Sequence, residues 1–168
     1  MGNQTSTKKV NFEDVQCVVK DRSPTTLLIN TLNNNNQDCL ITRTVPISNE
    51  TAIVNRLIGN SAARIVVYGR NSNDDTAYKK YDQLAGLGFA NVYLYTGGMF
   101  EWLLLQDIYG KSEFPTTANE LDLLRYRPRS SLSGSQLLMD GAAYGKDVLF
   151  GSSLWTERRS RARACTRY

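Results

Sequence analysis

The feature that most constrains the fold of this chain is the run Ile65-Val66-Val67-Tyr68, four consecutive apolar residues of which three are β-branched. A strand without alternating polar residues has to be buried on both faces, which is typical of the centre of a parallel sheet. A polar loop over residues 69–74 follows, and then an amphipathic helical pattern over residues 75–87. The run therefore predicts a strand–loop–helix unit.

The same alternation of short apolar runs and helical patterns extends over most of the chain. It predicts further strands over residues 14–20, 27–32 and 91–95, and further helices over residues 49–58, 99–109 and 117–125. Alternating strands and helices joined by short loops predict an α/β fold, in which a central parallel sheet carries helices on both faces.

Local signals set the expected helix ends. Ser48 or Asn49 is expected to cap the helix over 49–58, and Gly59 to end it. Asn73 or Asp74 is expected to cap the helix over 75–87. Thr117 and Glu120 have the spacing of a capping box. The helix over 99–109 is apolar on nearly all sides, which predicts that it is largely buried.

The composition excludes several classes of enzyme. The chain contains no histidine, so serine–histidine and cysteine–histidine catalysis are excluded. Its three cysteines, Cys17, Cys39 and Cys165, are scattered and match neither a disulfide framework nor the short spacing of a zinc site. We therefore expect no metal and no cofactor.

The formal net charge of +4 is concentrated at the C-terminus. Residues 151–168 contain five arginines and one acidic residue, whereas the first 150 residues contain 15 basic and 15 acidic residues. The folded part is therefore electrically balanced, and its charge does not favour nucleic-acid binding. The arginine-rich end itself is compatible with a weak nucleic-acid or localisation segment.

The N-terminal residues bear on the location of the protein in the cell. It has no hydrophobic signal core, and the chain has no run near the ~18 apolar residues that a spanning helix needs, so we expect a cytoplasmic protein. Met1-Gly2-Asn3-Gln4-Thr5-Ser6 fits the N-myristoylation pattern, which makes Gly2 a candidate lipidation site. Gly2 and the arginine-rich end together would favour a membrane surface.

The composition also predicts three regions. Residues 1–12 are polar and are expected to form a flexible leader. Residues 13–129 carry the strand and helix patterns and are expected to form the domain. Residues 130–168 are rich in small residues and in arginine, and are expected to form a mostly disordered basic tail.

The loop after Tyr68 has the local design of an anion site. Backbone N–H groups converge where a strand ends in a tight loop that opens a helix, and the helix dipole adds about half a positive charge. A cysteine at the first loop position would be held there as a thiolate.

From this loop onward the chain resembles the rhodanese-like domain family. In that family a strand ends in a catalytic cysteine, and a helix, a Gly-Phe pair, a Val-Tyr strand, a Gly-Gly turn and a tryptophan follow. The matching residues, in order and spacing, are Leu84, Gly88, Phe89, Val92, Tyr93, Gly97, Gly98 and Trp102. Upstream, Leu28–Leu32 is similar to the family's Leu-Ile-Asp-x-Arg segment, and Cys39–Ile41 to its Gly-His-Ile. The resemblance extends over residues 14–127.

The departures from the family pattern bear on activity. Gly69 stands at the position of the nucleophilic cysteine, Asn30 at that of the aspartate, and Leu32 at that of the arginine. The resemblance therefore implies a degenerate active-site loop, made of Gly69, Arg70, Asn71, Ser72, Asn73, Asp74 and Asp75. We expect no catalytic residue there and a non-catalytic binding or scaffold module with an unknown protein partner.

Three alternatives remain open. The loop could simply connect two elements or retain a small ligand or cation. The chain could be a sulfurtransferase with a displaced cysteine, for which Cys39 is the candidate, or a phosphatase, although it lacks the cysteine and the trailing arginine of the phosphatases that share this fold. The apolar helix over residues 99–109 could instead mediate oligomerisation.

Overall fold

The structure, a computed structural model, describes residues 6–21 and 23–130. The predictions for Gly2, for Cys165 and for residues 131–168 lie outside the described residues. Four parallel strands form one sheet in the order β1-β4-β3-β2. They are β1 (Lys9–Val10), β2 (Thr26–Asn30), β3 (Arg64–Tyr68) and β4 (Val92–Tyr95).

In the part of the chain that the structure describes, four α-helices and two short 3₁₀ helices connect and cover the strands. The α-helices are α1 (Phe12–Lys20), α2 (Ile47–Leu57), α3 (Asp75–Gly86) and α4 (Gly98–Tyr109), and the 3₁₀ helices span Asn34–Asn36 and Leu123–Tyr126. The expected α/β fold with helices on both faces is confirmed. None of the helices in the described part of the chain is long and apolar enough to cross a membrane.

Each strand supplies both faces of the sheet, because successive side chains point in opposite directions. Leu28, Val66 and Tyr68 face a core that includes residues of α1 and α4. Ile29 and Val67 face the opposite core, which includes residues of α2 and α3. The run at residues 65–68 is accordingly buried on both sides, as its sequence predicts.

The prediction for residues 14–20 is wrong, because these residues belong to helix α1. Asn11 and Asp14 form a reciprocal capping box: the Asn11 side chain accepts the Asp14 N–H at 3.0 Å, and the Asp14 carboxylate accepts the Asn11 N–H at 3.1 Å. Val15, Val18 and Val19 have the spacing of one helical face. Strand β1 pairs with β4 in front of this helix, so residues 9–12 are not part of a flexible leader.

The helix predicted over residues 117–125 is also wrong. The Thr117 hydroxyl accepts the Leu40 N–H at 3.0 Å across the fold, and Glu120 forms an ion pair with Arg125 at 3.0 Å. The potential capping residues therefore make long-range and local contacts other than a cap, and only the 3₁₀ helix at Leu123–Tyr126 forms.

Two helix details differ from the predictions. Helix α2 begins directly after Pro46 and has no side-chain cap, so neither Ser48 nor Asn49 caps it. Helix α4 buries Met99, Trp102 and Leu103 but leaves Ile108 69% exposed, so the expected burial of this helix holds for one side only.

The Tyr68 hydroxyl ties the segment before α2 to the end of β3. It accepts the Ile41 N–H at 3.3 Å and lies 2.8 Å from the Thr44 hydroxyl. Burial raises the pKa of Tyr68 well above its ordinary value, so the hydroxyl stays protonated and can donate to Thr44. The Tyr68 hydroxyl therefore fixes residues 41–44 beside the end of β3.

Replacing Tyr68 by Phe is expected to lower the free energy of unfolding by about 1–3 kcal/mol, because the buried Ile41 N–H loses its partner. Urea unfolding measures this loss. Tyr109→Phe is the matched control, since Tyr109 is 64% exposed. Equal unfolding midpoints for the two variants would contradict this role of the hydroxyl.

Candidate functional site

The loop that joins β3 to α3 lies at the carboxyl edge of the sheet, where ligands of open α/β sheets bind. It begins at Gly69, directly after Tyr68, and ends at Asp74, the N-cap of α3. Asp74 is one of the two expected caps, so that prediction is confirmed. Six of the seven residues of the predicted degenerate active-site loop therefore lie between a central strand and a helix, and the seventh, Asp75, is the first residue of α3.

The carboxylate of Asp74 occupies the inside of this loop. One oxygen, Oδ2, accepts the Arg70 N–H at 2.7 Å. The other, Oδ1, accepts the Thr76 N–H at 3.0 Å and lies 2.6 Å from the Thr76 hydroxyl. Two converging amides that could bind an external anion are therefore already bonded to an anion of the chain itself.

Gly69 is directly against this carboxylate. A Cβ atom at Gly69 would lie 2.6 Å from Asp74 Oδ2 and 3.1 Å from the Ala77 Cβ. A side chain at the first loop position would therefore collide with Asp74 in its present position. Gly69 and Asp74 fit each other: the absence of a side chain at one position makes room for the carboxylate at the other.

The carbonyl groups of the loop are bonded to the N-terminus of α4. Gly69 O accepts the Met99 N–H and Arg70 O accepts the Phe100 N–H, both at 3.0 Å. Gly98 permits this approach, because its φ is +61° and a Cβ there would lie 2.6 Å from Gly69 O. The Gly97-Gly98 turn thus brings the N-terminus of α4 into hydrogen-bonding contact with the loop.

The polar side chains of the loop bond to a distant part of the chain. Arg70 donates from a terminal nitrogen to the Arg125 carbonyl, and Asn71 Nδ2 donates to the Tyr126 carbonyl at 2.7 Å. The Arg70 Nε is buried and has no hydrogen-bond partner within residues 6–21 and 23–130. The single cation of the loop is therefore used to hold the 3₁₀ helix at Leu123–Tyr126.

The remaining loop residues make short-range contacts. The Asn73 N–H bonds to Asn71 Oδ1 at 3.0 Å, and the Ser72 hydroxyl lies 3.4 Å from Asn73 Oδ1. Ser72 and Asp75 are exposed. Among the described residues, no basic side chain hydrogen-bonds to the Ser72 hydroxyl and could activate it as a nucleophile.

The two upstream departures from the family pattern have structural roles. Asn30 is buried at the end of β2, and its Oδ1 accepts the Leu32 N–H at 3.1 Å and Gln37 Nε2 at 2.8 Å. Leu32 is 5% exposed and packs in the core beside α1 and α4. An amide and an aliphatic side chain therefore stabilise a turn where the family pattern has two charges.

Neither described cysteine has the environment of a reactive thiolate at this loop. Cys39 is buried, and its thiol donates to the Ala118 carbonyl at 3.4 Å. Burial raises the pKa of the Cys39 thiol, which disfavours the thiolate at neutral pH. Cys17 is exposed on α1. In residues 6–21 and 23–130, no group of three or more Cys, Asp or Glu side chains is placed to hold a metal ion.

Sequence reasoning found the loop but missed its supports. The contacts of Arg70 and Asn71 with residues 125 and 126 join positions 55 residues apart, and no local pattern signals them. The Asp74 carboxylate could have been foreseen in part, because Asp is a preferred N-cap. Its second bond, to the Arg70 N–H, depends on how tightly the loop turns.

Comparison with known proteins finds a matching family model and solved structures with a similar fold. Residues 36–105 match the family model of the rhodanese-like domain. A full-length protein from Lactobacillus plantarum has a TM-score of 0.50 at 15% identity, over 66% of this chain and 88% of its own. A yeast protein tyrosine phosphatase of the Rhodanese family has a TM-score of 0.49 at 17% identity, over 73% of this chain and 99% of its own. No curated protein matches this chain.

The contact between Gly69 and Asp74 can be tested with a double-mutant cycle. Gly69→Ala is expected to lower the free energy of unfolding by about 1–3 kcal/mol, because the new methyl group displaces the Asp74 carboxylate. In an Asp74→Ala background the same substitution should cost at least about 1 kcal/mol less. Urea unfolding of the four proteins measures the coupling.

Gly86→Ala is the control for this cycle, because a Cβ at Gly86 has no neighbour within 4 Å. The effect of Gly86→Ala on the free energy of unfolding should be the same in the wild type and in the Asp74→Ala background. Additivity of Gly69→Ala and Asp74→Ala within about 0.5 kcal/mol would show that the two residues do not fit together as described.

Proposed function

We propose that this chain, which matches the family model of the rhodanese-like domain over residues 36–105, acts as a binding module without sulfurtransferase or phosphatase activity. The observation that supports this proposal is the pairing of Gly69 with the Asp74 carboxylate inside the loop. A sulfur- or phosphoryl-transfer reaction at this place needs a nucleophile and free amides for the substrate anion. Here the first loop residue has no side chain, and the carboxylate holds two amides.

The charges at the loop, like its geometry, disfavour the binding of an anionic substrate. Asp74 and Asp75 place two carboxylates at the loop, and the guanidinium of Arg70 bonds to the Arg125 carbonyl. A thiosulfate or phosphate dianion would therefore meet two negative charges before it met the amides. Binding of such a substrate would require the Asp74 carboxylate to leave its hydrogen bonds.

A displaced cysteine is a weaker explanation of the same site. Cys39 would have to expose a thiolate at the loop, whereas its thiol is buried and bonded to the Ala118 carbonyl. Its raised pKa further reduces the thiolate fraction at neutral pH. These contacts support an inert core cysteine and leave the scaffold role as the better account.

Assays of thiosulfate-to-cyanide sulfur transfer and of p-nitrophenyl phosphate hydrolysis test the proposal. The purified wild-type protein is expected to show no turnover above that of the control, a variant in which Cys17, Cys39 and Cys165 are all replaced by Ser. Turnover that is present in the wild type and lost with one of the three cysteines would overturn the proposal and would identify the nucleophile.

We further propose that this module is tethered to a membrane through acylation of Gly2. The support is the sequence Met1-Gly2-Asn3-Gln4-Thr5-Ser6 together with the arginine-rich C-terminal end. A single myristoyl chain gives marginal membrane binding, and nearby basic residues strengthen it on an anionic surface. Between Gly2 and β1 at Lys9, the chain has about 20 Å of extended reach for such a tether.

Mass spectrometry of the protein from its native host tests the acylation, and partition between membrane and soluble fractions tests its effect. The wild type is expected to carry a myristoyl group and to sediment with membranes in part, whereas Gly2→Ala should be found in the soluble fraction. An unmodified Gly2, or equal partition of the two proteins, would contradict the tether. This outcome would leave the non-catalytic role unaffected.

A further inference from the structure

The amino edge of the sheet, where the strands begin, carries two exposed aliphatic side chains. Helices α2 and α3 both return to this edge, since α2 leads into β3 and α3 leads into β4. The C-cap residues of these helices are Ile58, which is 48% exposed, and Leu87, which is 45% exposed. The two loops that follow them are joined, because the Asn91 side-chain amide donates to the Ser61 carbonyl at 3.0 Å. Both aliphatic side chains therefore lie on connected segments at one edge.

Basic side chains collect at the same edge. Lys20 is in the last turn of α1, Arg56 is in the last turn of α2, and Arg64 is the first residue of β3. All three are exposed, and none of them forms an ion pair within residues 6–21 and 23–130. Lys8 comes directly before β1, and its ammonium group donates to the Ala90 carbonyl at 2.8 Å, which holds it at this edge.

Fewer acidic side chains lie beside these bases. Asp21 accepts the Ser23 N–H at 2.9 Å and the Thr26 hydroxyl at 2.8 Å, and Asp82 is exposed on α3, one turn before its end. The four basic side chains therefore outnumber the two acidic ones, and the edge is positive.

The opposite, carboxyl edge has the reverse charge, because all four α-helices begin there. Each of these helices carries an acidic residue in its first turn, and the residues are Glu13, Asp14, Glu50, Asp75 and Glu101. The helix dipole favours acidic residues in first turns and basic residues in last turns. The folded part is thus balanced in total charge but divided into a positive edge and a negative edge.

The chain enters the sheet at the positive edge. Strand β1 begins at Lys9, and Lys8 is bonded beside the start of β4. Gly2 is six residues before Lys8 in the sequence. An acyl chain at Gly2 would therefore approach the domain from the side that carries the basic and the exposed aliphatic residues.

We propose that the amino edge is the surface with which this domain docks on an anionic membrane. Ile58 and Leu87 insert into the interfacial layer of the bilayer, and the basic side chains contact anionic headgroups. Such contacts supplement a single myristoyl chain, which binds only marginally by itself. The inference rests on the proposed tether and adds an orientation: the carboxyl edge, with the loop at residues 69–75, faces away from the membrane and is open to a protein partner.

Flotation with phosphatidylcholine vesicles, with and without phosphatidylserine, tests the surface on the full chain acylated at Gly2 by a co-expressed acyltransferase. Arg56→Gln and Arg64→Gln are each expected to weaken partition into the anionic vesicles roughly three- to fivefold, as the loss of one basic residue near the surface predicts. Lys79→Gln makes the same charge change in the first half of α3, nearer the carboxyl edge, and should leave partition unchanged.

A second pair of variants tests the aliphatic contact. Leu87→Ser is expected to weaken partition into both kinds of vesicle roughly three- to tenfold, because it removes apolar surface from the bilayer. Leu124→Ser is the control, since Leu124 is 56% exposed and belongs to the 3₁₀ helix that Arg70 and Asn71 hold at the carboxyl edge. Unfolding midpoints close to that of the wild type confirm that the exposed substitutions leave the fold intact.

Wild-type partition in the Arg56, Arg64 and Leu87 variants would overturn the inference, as would equal weakening by the two control variants. Equal partition of the wild type into neutral and anionic vesicles would overturn it as well. Because the acyl chain is supplied in this experiment, the result does not depend on acylation in the native host, which mass spectrometry measures separately.

Discussion

The carboxylate of Asp74, bonded to the Arg70 and Thr76 amides beneath Gly69, is the interaction on which the account of this domain depends. The end of a central parallel strand and the start of a helix bring backbone donors together, and buried donors need partners. In this chain the partner is a residue of the loop itself. The same bonds that cap α3 thereby remove the amides from the reach of an external anion.

The surrounding structure fixes that arrangement from three directions. The Gly-Gly turn brings the N-terminus of α4 against the loop carbonyls, Arg70 and Asn71 bond to the carbonyls of residues 125 and 126, and Ala77 of α3 lies against Gly69. Each contact satisfies a polar group of the loop or packs against Gly69. The position of the loop is therefore well determined.

Much of the fold could be predicted from the sequence, because the runs at residues 27–32, 65–68 and 91–95 and the helical patterns after them are strong local signals. The errors came from weaker signals, of which one is decided by a local contact and the other by a long-range contact. A three-valine segment forms α1 because Asn11 and Asp14 cap it, and an apparent capping box at Thr117 fails because the hydroxyl bonds to Leu40 instead. Of the site, the sequence indicated Gly69 and the loop's charge. It could not indicate the partners of Arg70 and Asn71, since these lie 55 residues away.

The most direct test of the account is a nuclear magnetic resonance titration of the backbone amides with sodium thiosulfate, with sodium chloride at matched ionic strength as the control. We expect the Arg70 and Thr76 amide signals to respond to the two salts alike, because both N–H groups already donate to the Asp74 carboxylate. Saturable shifts of these two signals with thiosulfate alone would contradict it, because they would show that the loop still binds an external anion.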